Sequence, residues 1–228
     1  MSLRAILLDI EGTTTPIAFV HDVLFSYARD HVREFLATDS AAEDIALLRE
    51  EHASDVSDAP PLNDEMESIA TYVEWLIKLD RKSTALKSLQ GKIWRQGYQD
   101  GSLKSQVFAD VAPAFGRWRE RGLRISIFSS GSVLAQQLLF AHTEAGDLTP
   151  FIDSYFDTKV GKKGDAGSYR KIAEVMGFPP QEILFVSDVV AELDAANEAG
   201  MKTLLSLRPG NEPQEERDPS IHSFDEIQ

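Results

Sequence analysis

Ala5-Ile6-Leu7-Leu8-Asp9-Ile10-Glu11-Gly12-Thr13 runs from four apolar residues into two acids and a glycine. A short apolar run that ends in acid and then turn residues reads as a buried parallel strand with carboxylates at its C-terminal tip. A second run of the same kind, Ile183-Leu184-Phe185-Val186-Ser187-Asp188, lies far along the chain. In open α/β sheets the C-terminal edge of the strands is where ligands bind. Carboxylates gathered there repel one another by roughly 4 kcal/mol per close pair at an effective dielectric near 20. A positive partner is expected among them, and a hard divalent cation such as Mg²⁺ suits oxygen ligands of this type.

Working outward, further apolar runs at residues 124–129 and 202–207 read as strands, with a shorter one near 155–157. Helical patterns at 133–142, 169–176 and 191–199 alternate with them, and Gly177 and Gly200 stand where C′ glycines would end the last two. Alternating strand and helix predicts an α/β fold with a doubly wound parallel sheet. From about residue 19 to 101 the rhythm breaks. No convincing strand occurs there, and stretches at 23–36, 41–52, 65–79 and 85–98 have helical spacing, with residues 55–63 and their Pro60-Pro61 as a loop. The expected organisation is a core of residues 1–18 and 101–228 with an inserted helical cap, 19–100, seated over the active edge. The tail from Arg208, rich in Pro, Gly and acid, is expected to wrap the surface.

The chain of 228 residues, 43% of them hydrophobic, is ample for one large domain or a core with a smaller companion. A formal net charge of −14 argues against nucleic acid or an anionic membrane as partner. An anionic substrate must therefore be captured by local positive charge. The absence of cysteine excludes disulfides, zinc–thiolate sites and thiol nucleophiles. The first apolar run meets Asp9 and Glu11 at once, unlike a signal peptide, and no stretch approaches the roughly 18 apolar residues of a membrane span. A soluble, cytoplasmic monomer is expected.

Asp9 and Glu11 are two apart, so both can face one side while Ile10 packs inward, and Thr13 can donate a hydroxyl hydrogen bond. A lone acid at a strand end is ordinarily just the start of a solvated loop; the acid pair, Gly12 and three consecutive threonines together suggest more. Ser129-Ser130-Gly131-Ser132 opens a helix after a strand, where backbone N–H groups and a hydroxyl suit a phosphate, although an ordinary N-cap has the same composition. Lys162 and Lys163, in the segment between Gly161 and Gly164, read either as solvated loop residues or as a cation reaching that edge. Asp188 and Glu192 are spaced i, i+4 across a strand-to-helix junction, where acids also complement the helix dipole. The five histidines have no metal spacing, and neither a Gly-x-x-x-x-Gly-Lys loop nor a Gly-x-Gly-x-x-Gly fingerprint is present. Trp75, Trp94 and Trp118 lie on helical patterns and read as packing residues.

Asp9-x-Glu11-Gly12-Thr13, then strand-Ser129, then Lys163, then Ser187-Asp188-x-x-x-Glu192 resembles, in that order, the haloacid dehalogenase superfamily of aspartyl phosphatases. The resemblance implies a haloacid dehalogenase-like core with a helical cap inserted after the first strand. It implies Asp9 as nucleophile, Glu11 as general acid/base, Ser129, Ser130, Gly131 and Lys163 as phosphate-binding residues, and one Mg²⁺ held by Asp9, Glu11 and Asp188. Glu11 replaces the commoner second Asp. With Asp9–Ile17, Phe128–Val133, Phe156–Lys159 and Arg208-Pro209-Gly210-Asn211, it makes the chain similar to the enolase-phosphatases of methionine salvage. Where that family usually has Gly-His-Lys, this chain has Gly161-Lys162-Lys163.

The implied reaction takes a small phosphorylated diketone, 2,3-diketo-5-methylthiopentyl-1-phosphate, through an enol and an aspartyl-phosphate to acireductone and phosphate. A capped Mg²⁺-dependent phosphatase of another small phosphate ester is the alternative. A receiver-type signalling module gathers similar groups but would be about half the length, lack the cap and carry its acceptor on a middle strand.

Overall fold

Ala5–Leu8 form β1, and all four residues are buried. In the computed structural model, which describes residues 2–54, 58–81, 83–212 and 219–227, β1 lies in the interior of a parallel six-stranded sheet. The others are β2 (Arg124–Phe128), β3 (Ser154–Phe156), β4 (Ile183–Ser187), β5 (Lys202–Ser206) and β6 (Ser220–Ile221). Their spatial order is β3-β2-β1-β4-β5-β6. The chain winds to one side of β1 through β2 and β3, and then to the other through β4. That reversal opens a crevice at the C-terminal ends of β1 and β4. Register carries the point to single residues: Leu8 lies opposite Ile127 on one side and Val186 on the other. The residues that follow each strand therefore emerge at one edge.

Strands buried on both faces need helices on both. The sheet-bearing unit comprises Met1–Val20 and Lys104–Gln228. Its helices are α5 (Val111–Glu120), α6 (Val133–Ala141), α7 (Ala166–Met176) and α8 (Val190–Glu198), so numbered after the four of the other unit. Leu7, Phe185 and Leu205 share a buried cluster with Tyr169, Ile172, Leu193 and Ala196 from α7 and α8. An aromatic chain made by Trp118 with Phe115 (6.0 Å) and Phe224 (5.2 Å), and by Phe115 with Phe140 (6.2 Å), occupies another part of this core. The periodicity reading left α5 unassigned. Its Pro113 sits in the first turn, where a missing N–H breaks no intrahelical bond. Gly177 ends α7 with φ 76°, and Gly200 follows α8 with φ 93°.

The tail is the main correction to the sequence reading. It does not simply wrap the surface: β6 pairs with β5, and Arg208, Ile221, Phe224 and Ile227 are buried. Its apolar residues are spread among Pro, Gly and acid, so composition hid a strand only two residues long.

His21–Leu103 form the second unit. It is helical: after a π-helical stretch at Phe19–Phe25 come α1 (Ser26–Leu36), α2 (Ala42–Ser54), α3 (Met66–Lys78) and α4 (Thr84–Asp100). Val32, Phe35, Leu36, Val73, Leu76, Leu89 and Ile93 are among its buried residues. Asp44, fully buried on α2, accepts from Ser88 Oγ (2.7 Å) and Lys92 Nζ (2.8 Å) on α4. Glu51 Oε1 accepts from the N–H groups of Thr84 (2.9 Å) and Ala85 (3.0 Å), satisfying donors that a helix start leaves orphaned. Trp94 donates to the Leu24 carbonyl at 2.8 Å, a packing role as expected of it. Part of the loop expected at 55–63, residues 55–57, lies outside the described residues. Among the described residues no helix is long and apolar enough to cross a membrane.

Candidate active site

Beyond Leu8 the backbone turns at once. The Ile10 carbonyl accepts from the N–H groups of Thr13, Thr14 and Thr15 at 2.9–3.2 Å, and Gly12 N–H donates to the Thr15 carbonyl at 2.9 Å. Gly12 has φ 65°, a conformation costly for a residue with a Cβ. Thr14, rather than Thr13, supplies the hydroxyl expected of this turn, reaching the carbonyls of Asp9 and Ile10 at 3.2 Å. Thr13 Oγ1 is buried and has no hydrogen-bond partner. Asp9 and Ile10 are buried, whereas Glu11 is half-buried on the turn.

Asp9 is held on several sides. Its Oδ1 accepts from Ile10 N–H (2.8 Å) and lies 2.7 Å from Lys163 Nζ, while Oδ2 accepts from Ser187 Oγ at 3.3 Å. Lys163 Nζ also lies 2.5 Å from Glu192 Oε2. The loop that delivers Lys163 is fixed from α7: Ser168 Oγ donates to the Lys162 carbonyl and Tyr169 Oη to the Lys163 carbonyl, both at 2.7 Å. Burial and the charges of Glu192 and Asp9 raise the Tyr169 phenol, which keeps it a donor. Lys162 is exposed. Of the two lysines in the segment, Lys163 is the one that pairs with Asp9.

The electrostatics follow from crowding. Burial by itself would lower the Lys163 ammonium, but Asp9 and Glu192 outweigh it and raise its pKa. Burial, followed by the charge of Asp9, pushes Asp188 up to about 7. Burial and Asp9 also raise Glu192 despite its lysine partner. One ammonium thus faces three carboxyl groups, which leaves room for a further positive charge. Asp188 sits over the turn, so that a Cβ on Gly12 would come within 2.3 Å of its Oδ2. Hard oxygen donors of this kind suit Mg²⁺. The charge of Asp9 is felt at Asp188, and Glu11 stands on the adjoining turn. Among the described residues no three His, Asp or Glu side chains form a ready-made metal cage.

Ser129 follows β2, is buried, and its Oγ accepts from Gly131 N–H at 3.2 Å, folding the loop on itself. Ser132 is the N-cap of α6 and accepts from Ala135 N–H at 3.3 Å. Gln136 Nε2 donates to the carbonyls of Gly131 (2.9 Å) and Phe156 (2.8 Å), tying this loop to the end of β3. Ser130 and Gly131 are half-buried beside it. Register therefore puts Asp9, the Ser129 loop and Ser187-Asp188 at one edge, joined by Lys163 from the loop before α7.

Two contributions escaped the sequence reading. Ser187 bridges Asp9 and Glu192, its hydroxyl shared as donor between Asp9 Oδ2 (3.3 Å) and Glu192 Oε2 (3.0 Å), yet a serine ending a strand carries no distinctive signal. The end of β5 and the segment after it brace the turn. Gly12's carbonyl accepts from Asn211 Nδ2 (2.9 Å) and Ser206 Oγ (3.2 Å), and Thr13's carbonyl accepts from Arg208 Nε (3.2 Å). Arg208 is stacked against the rings of Phe108 and Phe224 and pairs with Asp110 at 2.7 Å.

Comparison with known proteins matches residues 3–200 to the family described as haloacid dehalogenase-like hydrolase. The chain is 55% identical over its full length to the protein named Enolase-phosphatase E1 of Synechococcus elongatus, covering 98% of that protein. It is 48% identical to the Enolase-phosphatase E1 of Sorangium cellulosum, over 98% of this chain and 97% of that one. Among solved structures it resembles the UTR4 protein of Saccharomyces cerevisiae, with TM-score 0.82, 35% identity, and coverage of 99% of this chain and 100% of that one. CbbY from Rhodobacter sphaeroides, solved in complex with phosphate, shares the fold at TM-score 0.61 and 19% identity, over 99% of this chain and 96% of that one.

Proposed function

Because the chain belongs to the enolase-phosphatase E1 family of haloacid dehalogenase-like hydrolases, we propose that it converts 2,3-diketo-5-methylthiopentyl-1-phosphate to acireductone and phosphate. One observation carries the phosphoryl-transfer half: a buried carboxylate at a strand tip, Asp9, lies 2.7 Å from the largely enclosed ammonium of Lys163. A carboxylate so held is aimed and partly desolvated, and the ammonium can neutralise the phosphoryl group it attacks. Enolisation is supported by full-length similarity to relatives that bear both activities in their name.

In this reading a proton leaves the phosphate-bearing carbon, next to a carbonyl. The electrons of that C–H bond form the enol double bond while the carbonyl π pair moves onto its oxygen, which takes up a proton. Asp9 then attacks phosphorus while the P–O ester bond breaks. Glu11 gives its proton to the departing oxygen, and acireductone leaves. Glu11 next takes a proton from water, whose oxygen attacks the aspartyl-phosphate. Inorganic phosphate departs and Asp9 is regenerated. Ser129, Ser130, Gly131 and Lys163 bind the phosphoryl oxygens. Asp9, Asp188 and Glu11 would hold Mg²⁺, which would supply electrostatic stabilisation of negative charge developing on the substrate's oxygens. The helical unit, inserted in sequence between β1 and the rest of the sheet, is read as the cap. A formal charge of −14 disfavours self-association and supports a monomer.

The test is to incubate the protein with the diketo phosphate and follow enol absorbance and free phosphate together. Both signals rising, with the enol transient, is the expected result. Phosphate without any enol or acireductone would overturn the bifunctional reading.

A further inference from the structure

The Asn211 side chain is used on one end only. Its Nδ2 donates to the carbonyls of Gly12 (2.9 Å) and Ser206 (3.3 Å), which fixes the amide so that Oδ1 points away from them. That oxygen is buried and has no hydrogen-bond partner. It lies on the same side of the turn as Asp188: the point where a Gly12 Cβ would stand is 2.9 Å from Asn211 Oδ1 and 2.3 Å from Asp188 Oδ2. Two acceptor oxygens therefore crowd one place. A buried unsatisfied amide oxygen is costly, and native proteins seldom keep one without a use.

We propose that Asn211 Oδ1 is a positioning group for the divalent cation, accepting a hydrogen bond from the cation's hydration shell beside Asp188. This rests on the cation reading given above. Mg²⁺ keeps several waters when bound, and each water needs an acceptor. Outer-shell acceptors of this type orient the inner ligands, and their loss costs 10–100-fold in affinity in comparable sites. The amide's nitrogen end holds the turn that bears Asp9 and Glu11, while its oxygen end faces the ion. One side chain thereby couples the geometry of the turn to cation binding.

The experiment is a Mg²⁺ titration of the full chain, read by thermal stabilisation and by calorimetry without substrate. Asn211→Ala should weaken Mg²⁺ binding about tenfold or more. Ser206→Ala removes a donor to the same Gly12 carbonyl but no acceptor from the pocket, and should shift the affinity by less than about twofold, well below that outer-shell loss. Asn211→Asp keeps an oxygen facing Asp188 and should bind Mg²⁺ at least as tightly as the unaltered chain. It decides the question if the alanine variant fails to fold. Equal shifts in the alanine variants, an unshifted Asn211→Ala, or weakened binding in Asn211→Asp would overturn the proposal. No Mg²⁺ stabilisation of the unaltered chain would overturn the cation itself, and this role with it.

Discussion

Gly12 lies directly beneath the carboxylate of Asp188, so close that a Cβ on Gly12 would stand 2.3 Å from Oδ2 and 2.7 Å from Cγ. Its φ of 65° excludes most side chains independently. Gly12→Ala should therefore both strain the turn, by about 1–3 kcal/mol, and displace Asp188. We predict a lowered Tm and activity reduced by about 100-fold or more, since a 1 Å misplacement can cost that much. Near-normal activity would show that Asp188 need not occupy this place.

Asp9→Asn preserves the shape of a side chain held by Ile10 and Ser187, so the variant should fold. It removes the nucleophilic oxygen, and phosphate release should fall by about three orders of magnitude or more. Undiminished turnover would exclude an aspartyl-phosphate.

Lys163 and Lys162 are adjacent in sequence and opposite in circumstance. Lys163→Met should lower kcat by about 100–1,000-fold, the usual loss on removing a group that stabilises transition-state charge. Lys162→Met, altering an exposed residue, should change kcat by less than about threefold, in keeping with the small effects of surface substitutions. Comparable losses in the two would mean that Lys162 shares the phosphate.

Thorough chelation should abolish turnover, and added Mg²⁺ should restore it. Three carboxyl groups around one ammonium otherwise leave the edge short of positive charge. Full activity in the presence of a strong chelator would remove the cation from the reaction.

Asp110 contributes to the acid limb of stability. Burial opposes its ionisation, but hydrogen bonds from Phe224 N–H and Arg208, with the Arg208 charge, hold its carboxyl below the usual 3.8. A depressed folded-state pKa gives stability that is fully present above about pH 4 and is lost as pH falls through the folded value, because the unfolded chain takes the proton first. Asp110→Asn should be less stable at pH 7 by about 2–3 kcal/mol, with a shallower loss as pH falls below about 4. Parallel acid limbs for the two proteins, measured by denaturant unfolding, would assign that stability elsewhere.

Much was legible without coordinates. Apolar runs closed by acid marked β1 and β4, and strand–helix alternation marked a parallel sheet, because burial on both faces imposes a composition that local sequence displays. The short β6 and the helix that admits Pro113 were hidden, since two residues or a first-turn proline carry little periodic signal.

For this protein the sequence alone determined five of the sheet's six strands, the turn after β1 and the kinds of group at its edge, because those depend on neighbours in the chain. Tertiary structure alone decided which groups meet. Lys163 rather than Lys162 reaches Asp9, because hydroxyls of Ser168 and Tyr169 hold the carbonyls of the loop. Glu192 becomes that lysine's second partner, and Asn211 braces Gly12 across nearly the whole chain. Such pairings depend on strand order and register, which bring distant residues within hydrogen-bond reach and leave no mark on the residues beside them.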